Sequence, residues 1–311
     1  MAFQLEEINL MAKHPEEFMA MADERFNRKV EAAADAIIAN RQRSPIVLLS
    51  GPSGSGKTTS SLKLREALLR KGIHTHTISM DDYFANRDPE HSPRTKTGEY
   101  DLESPLCMDM ELLHEHFLAL SNGKTVLVPK FDFVRQMRDT SRCTPLHVGP
   151  DEVAIYEGIH ALNDDIGGRH PEAFKIYLSA RSNVLSQGET VFTGVWMRLT
   201  RRSVRDMNFR GTEVLHTFAM WNNVRRGEKL YIAPFRDRAN LIFDSALPYE
   251  VNVMTHYAKP LFDAIPRENI LRKDMLNMID AFHRFTPIDP ELVPVDSLLR
   301  EFIGGGVYDA H

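Results

Sequence analysis

Residues 51–59, GPSGSGKTT, place glycines, a lysine and hydroxyl side chains at the spacing that phosphate chemistry needs. Gly51, Gly56, Lys57 and Thr58 satisfy the phosphate-loop pattern GxxxxGK[ST]. Glycines let the backbone curl so that successive N–H groups face inward and cradle phosphate oxygens. Lys57 can reach the terminal phosphates, and the Thr58 hydroxyl can ligate Mg²⁺. The expected phosphate contacts are Gly51, Ser53, Gly54, Ser55, Gly56, Lys57, Thr58 and Thr59. An apolar run, Ile46-Val47-Leu48-Leu49, precedes the loop as a buried parallel strand should. After it, Leu62, Leu64, Leu68 and Leu69 recur near helical spacing until Gly72 supplies a stop. These residues predict a site for a nucleoside triphosphate.

Three further groups could act beside such a site. Asp81 and Asp82 follow the apolar-polar stretch 73–79, where a γ-phosphate would lie; a carboxylate there can orient an alcohol and accept its proton. The same pair could instead cap a turn. Glu157 follows the apolar strand Val153-Ala154-Ile155-Tyr156 and could hold Mg²⁺, which takes one or two carboxylates plus substrate phosphates. The stretch RLTRRSVRD carries Arg198, Arg201, Arg202 and Arg205 at helical spacing, with Arg210-Gly211 soon after. Such a run is often a solvated helix face, but arginines in a closing lid stabilise charge on a transferring phosphoryl group. No Asn-Lys-x-Asp motif for reading guanine and no ABC-transporter signature occurs.

The elements that must position these groups alternate from Pro45 onward. A helix is expected over 58–71, strands over 73–79, 125–129, 153–156 and 174–178, and a helix near 109–120. Repeated βα units predict an α/β fold: a doubly wound, mostly parallel sheet flanked by helices, with ligands at the strands' carboxyl ends. Residues 1–43 form a helical extension, in which Phe18, Met21, Ala22, Phe26, Val30 and Ile37 fall near one stripe. That stripe reads as packing against the nucleotide domain, with a homo-oligomer seam as the alternative. The central domain spans 44–250, with a lid about 196–212. Residues 251–311 form a second helical extension, with a helix near 267–285 and a break at Gly304-Gly305-Gly306.

The chain has 311 residues, 42% hydrophobic and 26% charged, which suits an ordinary globular core. A net charge of −5 argues against general affinity for nucleic acid or anionic membrane. Cys107 and Cys143 fit no metal-ligand spacing. With no apolar run long enough to span a bilayer and no signal-like leader, a cytoplasmic location is the expectation.

The ordered motifs resemble the uridine kinase and phosphoribulokinase family of P-loop kinases, from about Pro45 to Pro248. The blocks that carry the resemblance are GPSGSGKTT, SMDDYF at 79–84, EYDLESP at 99–105, PKFDFVRQMR at 129–138, YEGIHAL at 156–162 and RLTRRSVRD. The resemblance implies ATP and Mg²⁺ as cofactors, with Asp81 as general base and substrate ligand. It gives the metal to Thr58, Asp81 and Glu157, and catalytic roles to Lys57, Arg198 and Arg202. Tyr83, Asp101, Phe131, Gln136 and Arg205 would bind the acceptor, Asp101 through ribose hydroxyls. Where the family has a pocket Tyr and a His, this chain has Phe131 and Gln136.

The function so implied is transfer of a γ-phosphoryl group to a small-molecule alcohol, first the 5′-hydroxyl of a nucleoside such as uridine. The alternative acceptor is a sugar, sugar phosphate, polyol or pantothenate-like alcohol; a phosphorylated one would call on Arg94, Lys96, Arg135 or Arg138. A nucleotide sensor without turnover is the remaining alternative, and intact Lys57, Asp81 and Glu157 argue against it.

Overall fold

The computed structural model describes residues 2–308 apart from Thr97, Phe133, Val134 and Ala264. The chain opens with β1 (Ala2–Gln4), α1 (Leu5–Met11) and α2 (Pro15–Asn40). It then runs through β2 (Ile46–Ser50), α3 (Lys57–Arg70), β3 (His74–Ser79) and α4 (Met110–Ser121). Four short strands follow: β4 (Val126–Val128), β5 (Phe131–Asp132), β6 (Met137–Arg138) and β7 (Thr144–Leu146). Next come β8 (Glu152–Glu157), β9 (Phe174–Ser179), β10 (Asn183–Ser186) and β11 (Glu189–Phe192). The rest is α5 (Gly194–Arg210), α6 (Val214–Gly227), β12 (Leu241–Asp244), α7 (Glu250–Asp263), α8 (Ile270–Ala281) and α9 (Arg300–Ile303).

Five strands form one parallel sheet in the order β12-β9-β2-β8-β3. Side chains alternate across it, and both faces are covered. Val47, Leu49, Val153, Ile155, Ile176 and Leu178 enter one apolar cluster, while Ile46, Leu48, Ala154, Tyr156 and Tyr177 enter the other. The chain leaves β2 toward β3 on one side and later reaches β9 on the other, so β2 ends at a topological switch point.

Both terminal segments share the first of these clusters with the sheet. Phe18, Ala22, Phe26, Val30 and Ile37 are buried there, so the N-terminal stripe packs on its own chain, although Met21 is exposed. Met254, Phe262, Phe282 and Phe302 come to the same cluster from the C-terminal segment.

Two local expectations change, and a hairpin is found that was not expected. The strand expected at 125–129 is β4, which pairs antiparallel with β7 outside the parallel sheet. With β5 pairing β6, it builds a small arm. The segment 179–197 holds the β10–β11 hairpin, and β1 adds to it in parallel. Such short strands carry little periodicity of their own and become strands through non-local pairing. The tail helix expected near 267–285 is α8, shorter and preceded by α7.

Candidate functional site

The loop between β2 and α3 is held from behind. Gly54 (φ 74°) and Gly56 (φ 83°) adopt left-handed backbone that a side chain would strain. A Cβ on Gly51 would lie 2.1 Å from the Leu178 carbonyl oxygen. Behind the loop, Arg198 Nη1 donates to the Ser53 carbonyl (3.2 Å) and Arg201 Nη1 to that of Gly54 (3.2 Å). The Ser245 hydroxyl donates to the Ser55 carbonyl (2.6 Å). These carbonyls are engaged by buried donors, and amides at the start of α3 can serve an anion, apart from those of Ser55 and Thr59, which donate to the Pro52 carbonyl (3.2 Å) and to Glu301 Oε2 (2.9 Å). Lys57 Nζ folds back on the Gly51 carbonyl (2.9 Å). Burial lowers its pKa, opposed by Glu157 and then Asp81, so both carboxylates act electrostatically on this ammonium.

The sheet register places those carboxylates. Glu157 ends β8 beside Leu49 of β2 and Ser79 of β3. The Ser79 hydroxyl accepts from the Asp81 amide (3.3 Å) and caps the 3₁₀ turn Met80–Tyr83 that presents Asp81. Gly158 permits this packing: a Cβ there would lie 2.7 Å from Met80 Cβ. Glu157 Oε2 is buried without a hydrogen-bond partner among the described residues, and burial pushes the carboxyl up to about 7. A divalent cation beside it would supply the missing partner and hold the group ionised, so the residues fit Mg²⁺. Among the described residues no group of three or more His, Cys, Asp and Glu is placed to hold a metal ion.

Asp81 and Asp82 part ways. Asp82 is taken by Lys130 Nζ (3.0 Å) and the Phe131 amide (3.3 Å), which anchors the arm. The Asp81 carboxylate makes no hydrogen bond or ion pair among the described residues and opens to the cleft. Loss of solvation beneath the cleft raises its pKa, with Lys57 opposing, Asp82 adding to the rise and Arg210 opposing it.

Four residues expected in the site are engaged elsewhere. Tyr83, expected at the acceptor, is fully buried, and its hydroxyl meets His116 Nδ1 (2.8 Å) and Tyr156 (3.4 Å). The turn that presents Asp81 directs Tyr83 into the core. Arg198, expected to be catalytic, is 2% exposed, and its Nη2 donates to both Glu228 oxygens at 2.9 and 2.8 Å. Its neighbour Arg201, which shares none of the open face expected of it, is fully buried in an ion pair with Glu250. The Asp101 oxygens, expected to meet a diol, accept from Arg226 Nη2 (2.6 Å) and the Tyr231 hydroxyl (3.2 Å). Arg205, expected at the acceptor, lies on Asp206 at 2.8 Å.

Asp206 is 3% exposed and also draws in Arg202 (3.2 Å) and Arg210 (3.6 Å). Arg202 in addition donates to the Ser53 hydroxyl (2.9 Å). Sequence reasoning missed Asp206, Glu228 and Glu250 as the partners that sort these arginines. The (i, i+4) spacing of Arg202 to Asp206 was a signal for the first; the others lie far along the chain. It also missed Glu103, which burial raises to about 7 near Arg202, Asp101 and Arg226.

Beyond the 3₁₀ turn that carries Asp81, from Phe84 onward, the chain lines a cavity of about 400 Å³. Phe84, Phe131, Tyr100 and Leu102 supply apolar wall, and Gln136 and Arg87 are polar lining residues. Phe131 and Gln136 therefore do share one cavity, while Asp101 lies outside its lining. Arg87 and Arg94 stack on Tyr100, at 4.5 and 4.3 Å from the ring centre.

A glycine-rich loop from a central parallel strand to a helix, with a lysine and strand-end carboxylates around it, defines a P-loop nucleotide-binding fold. Residues 46–251 match the model of the phosphoribulokinase/uridine kinase family, and the chain belongs to that family. It is 31% identical over 202 residues to a uridine kinase of Macrococcus caseolyticus, covering 64% of this chain and 87% of that one. To a uridine kinase of Alkaliphilus metalliredigens it is 28% identical over 212 residues, covering 68% and 92%. A solved structure of a possible uridine kinase from Bacillus stearothermophilus shares 20% identity at a TM-score of 0.42, covering 64% of this chain and 88% of that one. The protein is an ATP-dependent phosphotransferase acting on a small-molecule acceptor. Among the described residues no helix is long and apolar enough to cross a membrane.

Proposed function

We propose that the protein transfers the γ-phosphoryl group of ATP to the hydroxyl of a nucleoside-like alcohol, with Asp81 as the base. One observation carries this reading: Asp81 is a strand-end carboxylate that makes no hydrogen bond or ion pair among the described residues, in the field of the phosphate-loop lysine. An alcohol between Asp81 and the γ-phosphate could pass its proton to the carboxylate as its oxygen meets phosphorus. Lys57 and the loop amides would hold the β- and γ-phosphates. Thr58 and Glu157 would hold Mg²⁺, which when bound offsets charge on the phosphate oxygens. Arg202, Arg205 and Arg210, gathered on Asp206, supply the positive field beside the loop. The aromatic walls of the cavity suit a flat ring, and Gln136 is a polar residue in the same lining.

The arginines stacked on Tyr100 favour a second reading, in which the acceptor alcohol carries a phosphate or carboxylate. A coupled ADP-release screen of nucleosides, pentoses, polyols and sugar phosphates separates the two. With the best acceptor, Asp81→Asn should lower kcat by roughly a hundredfold or more and leave ATP affinity nearly unchanged. Turnover within a few-fold of native would assign the base elsewhere.

A further inference from the structure

The outer end of the phosphate cradle is already filled by the chain's own C-terminal segment. Glu301, on α9, accepts from the Thr59 amide through Oε2 at 2.9 Å. Thr59 is the third residue of α3, so this amide belongs to the set that a phosphate loop turns toward its triphosphate. Glu301 is 7% exposed, and its charge is felt by both Lys57 and Glu157.

The segment is fastened at several points. Leu298 packs against the loop itself, where a Cβ on Gly56 would lie 2.9 Å from Leu298 Cδ1. Leu298, Leu299 and Phe302 are essentially without solvent exposure, and Phe302 lies under the Arg201 guanidinium at 5.0 Å. Asp296 pairs with Lys63 of α3 (3.1 Å). Ser297 meets the Tyr249 hydroxyl (2.7 Å), which donates to Asp23 of α2 (2.8 Å). The N-terminal helix thereby helps hold the C-terminal segment in place.

A phosphate oxygen and this carboxylate cannot both take the Thr59 N–H, and their like charges repel at such range. We propose that the segment Asp296–Ile303 is an autoinhibitory cap, which seats Glu301 in the phosphate cradle and must withdraw before a triphosphate binds fully. This rests on the loop being the triphosphate site.

The test is a calorimetric titration of the full chain with a non-hydrolysable ATP analogue, comparing native protein, Glu301→Gln and Lys57→Ala. Glutamine retains an oxygen for the Thr59 amide and loses the charge. A cap that keeps most molecules closed predicts roughly tenfold tighter binding for Glu301→Gln, as the closed fraction falls. Trypsin cleavage of native protein after Arg300 should also quicken when the analogue is added. Equal or weaker binding by Glu301→Gln, or protection of Arg300 by the analogue, overturns the cap and leaves Glu301 as a helix cap or nucleotide ligand. Undiminished binding by Lys57→Ala would instead overturn the assignment of the loop.

Discussion

The donor and acceptor sides of the cleft are built on different terms. On the donor side, three successive loop carbonyls are held by Arg198, Arg201 and Ser245, all buried. On the acceptor side, the wall comes from a two-residue strand pair and the segment 84–107, joined by Asp82 to Lys130 and by Arg138 to Asp109. The first arrangement fixes amides in advance for a group common to every triphosphate, at the cost of burying charge. The second leaves a cavity whose shape depends on a few side chains.

The largest effect should come from breaking the donor side's hidden support. Arg201→Met leaves Glu250 buried and unpaired and frees the Gly54 carbonyl, which should cost about 3–5 kcal/mol of stability. Denaturant unfolding checks this, and Arg201→Met combined with Glu250→Leu should recover much of the loss. If the single variant is as stable as native, the buried pair does not support the loop.

A smaller effect concerns the network that ties the two terminal segments together. Burial raises Asp23 to about 6 from an ordinary 3.8, against hydrogen bonds from Tyr249 and Ser297. An acid whose folded pKa is raised binds its proton more tightly when folded. Its stabilising contribution is complete below about pH 4 and is lost as pH rises through 6, a difference of roughly 1–3 kcal/mol. Asp23→Asn should therefore be the more stable protein at pH 7 in thermal melts, with the gap closing toward pH 4. A gap independent of pH would show that Asp23 stays ionised.

The smallest effect belongs to the acceptor wall. Phe131→Ala removes aromatic area from the cavity and should raise the acceptor KM roughly five- to tenfold while leaving the ATP KM alone. Equal changes in both would mean that the wall and the cradle are coupled, which would erase the contrast between the two sides.

Much of the donor side was legible in the chain. The strand before the loop, the glycines in it and the helix after it are set by neighbours within about twenty residues, through sterics and periodicity. The acceptor side was less so. Phe131 and Gln136 do line one cavity, yet Tyr83 and Asp101 meet core or structural partners. Tyr83 sits two residues from Asp81, and only the 3₁₀ turn sends one inward and the other to the cleft.

The arginine run shows the limit best. Its helical spacing was correct, but spacing cannot say which guanidinium finds an acid. Glu228 and Glu250 withdraw Arg198 and Arg201 into the interior, whereas Asp206 holds Arg202, Arg205 and Arg210 together.

By itself the sequence determined the phosphate loop, the order of βα units and the set of groups able to act, because these follow from local backbone freedom and side-chain chemistry. Only the tertiary structure decided which groups remain free to act. Lys130 reaches Asp82 across 48 positions, and Glu301 meets the Thr59 amide across 242. A buried charge or amide must find a partner wherever the fold supplies one. That choice is made by packing in space, and no spacing along the chain records it.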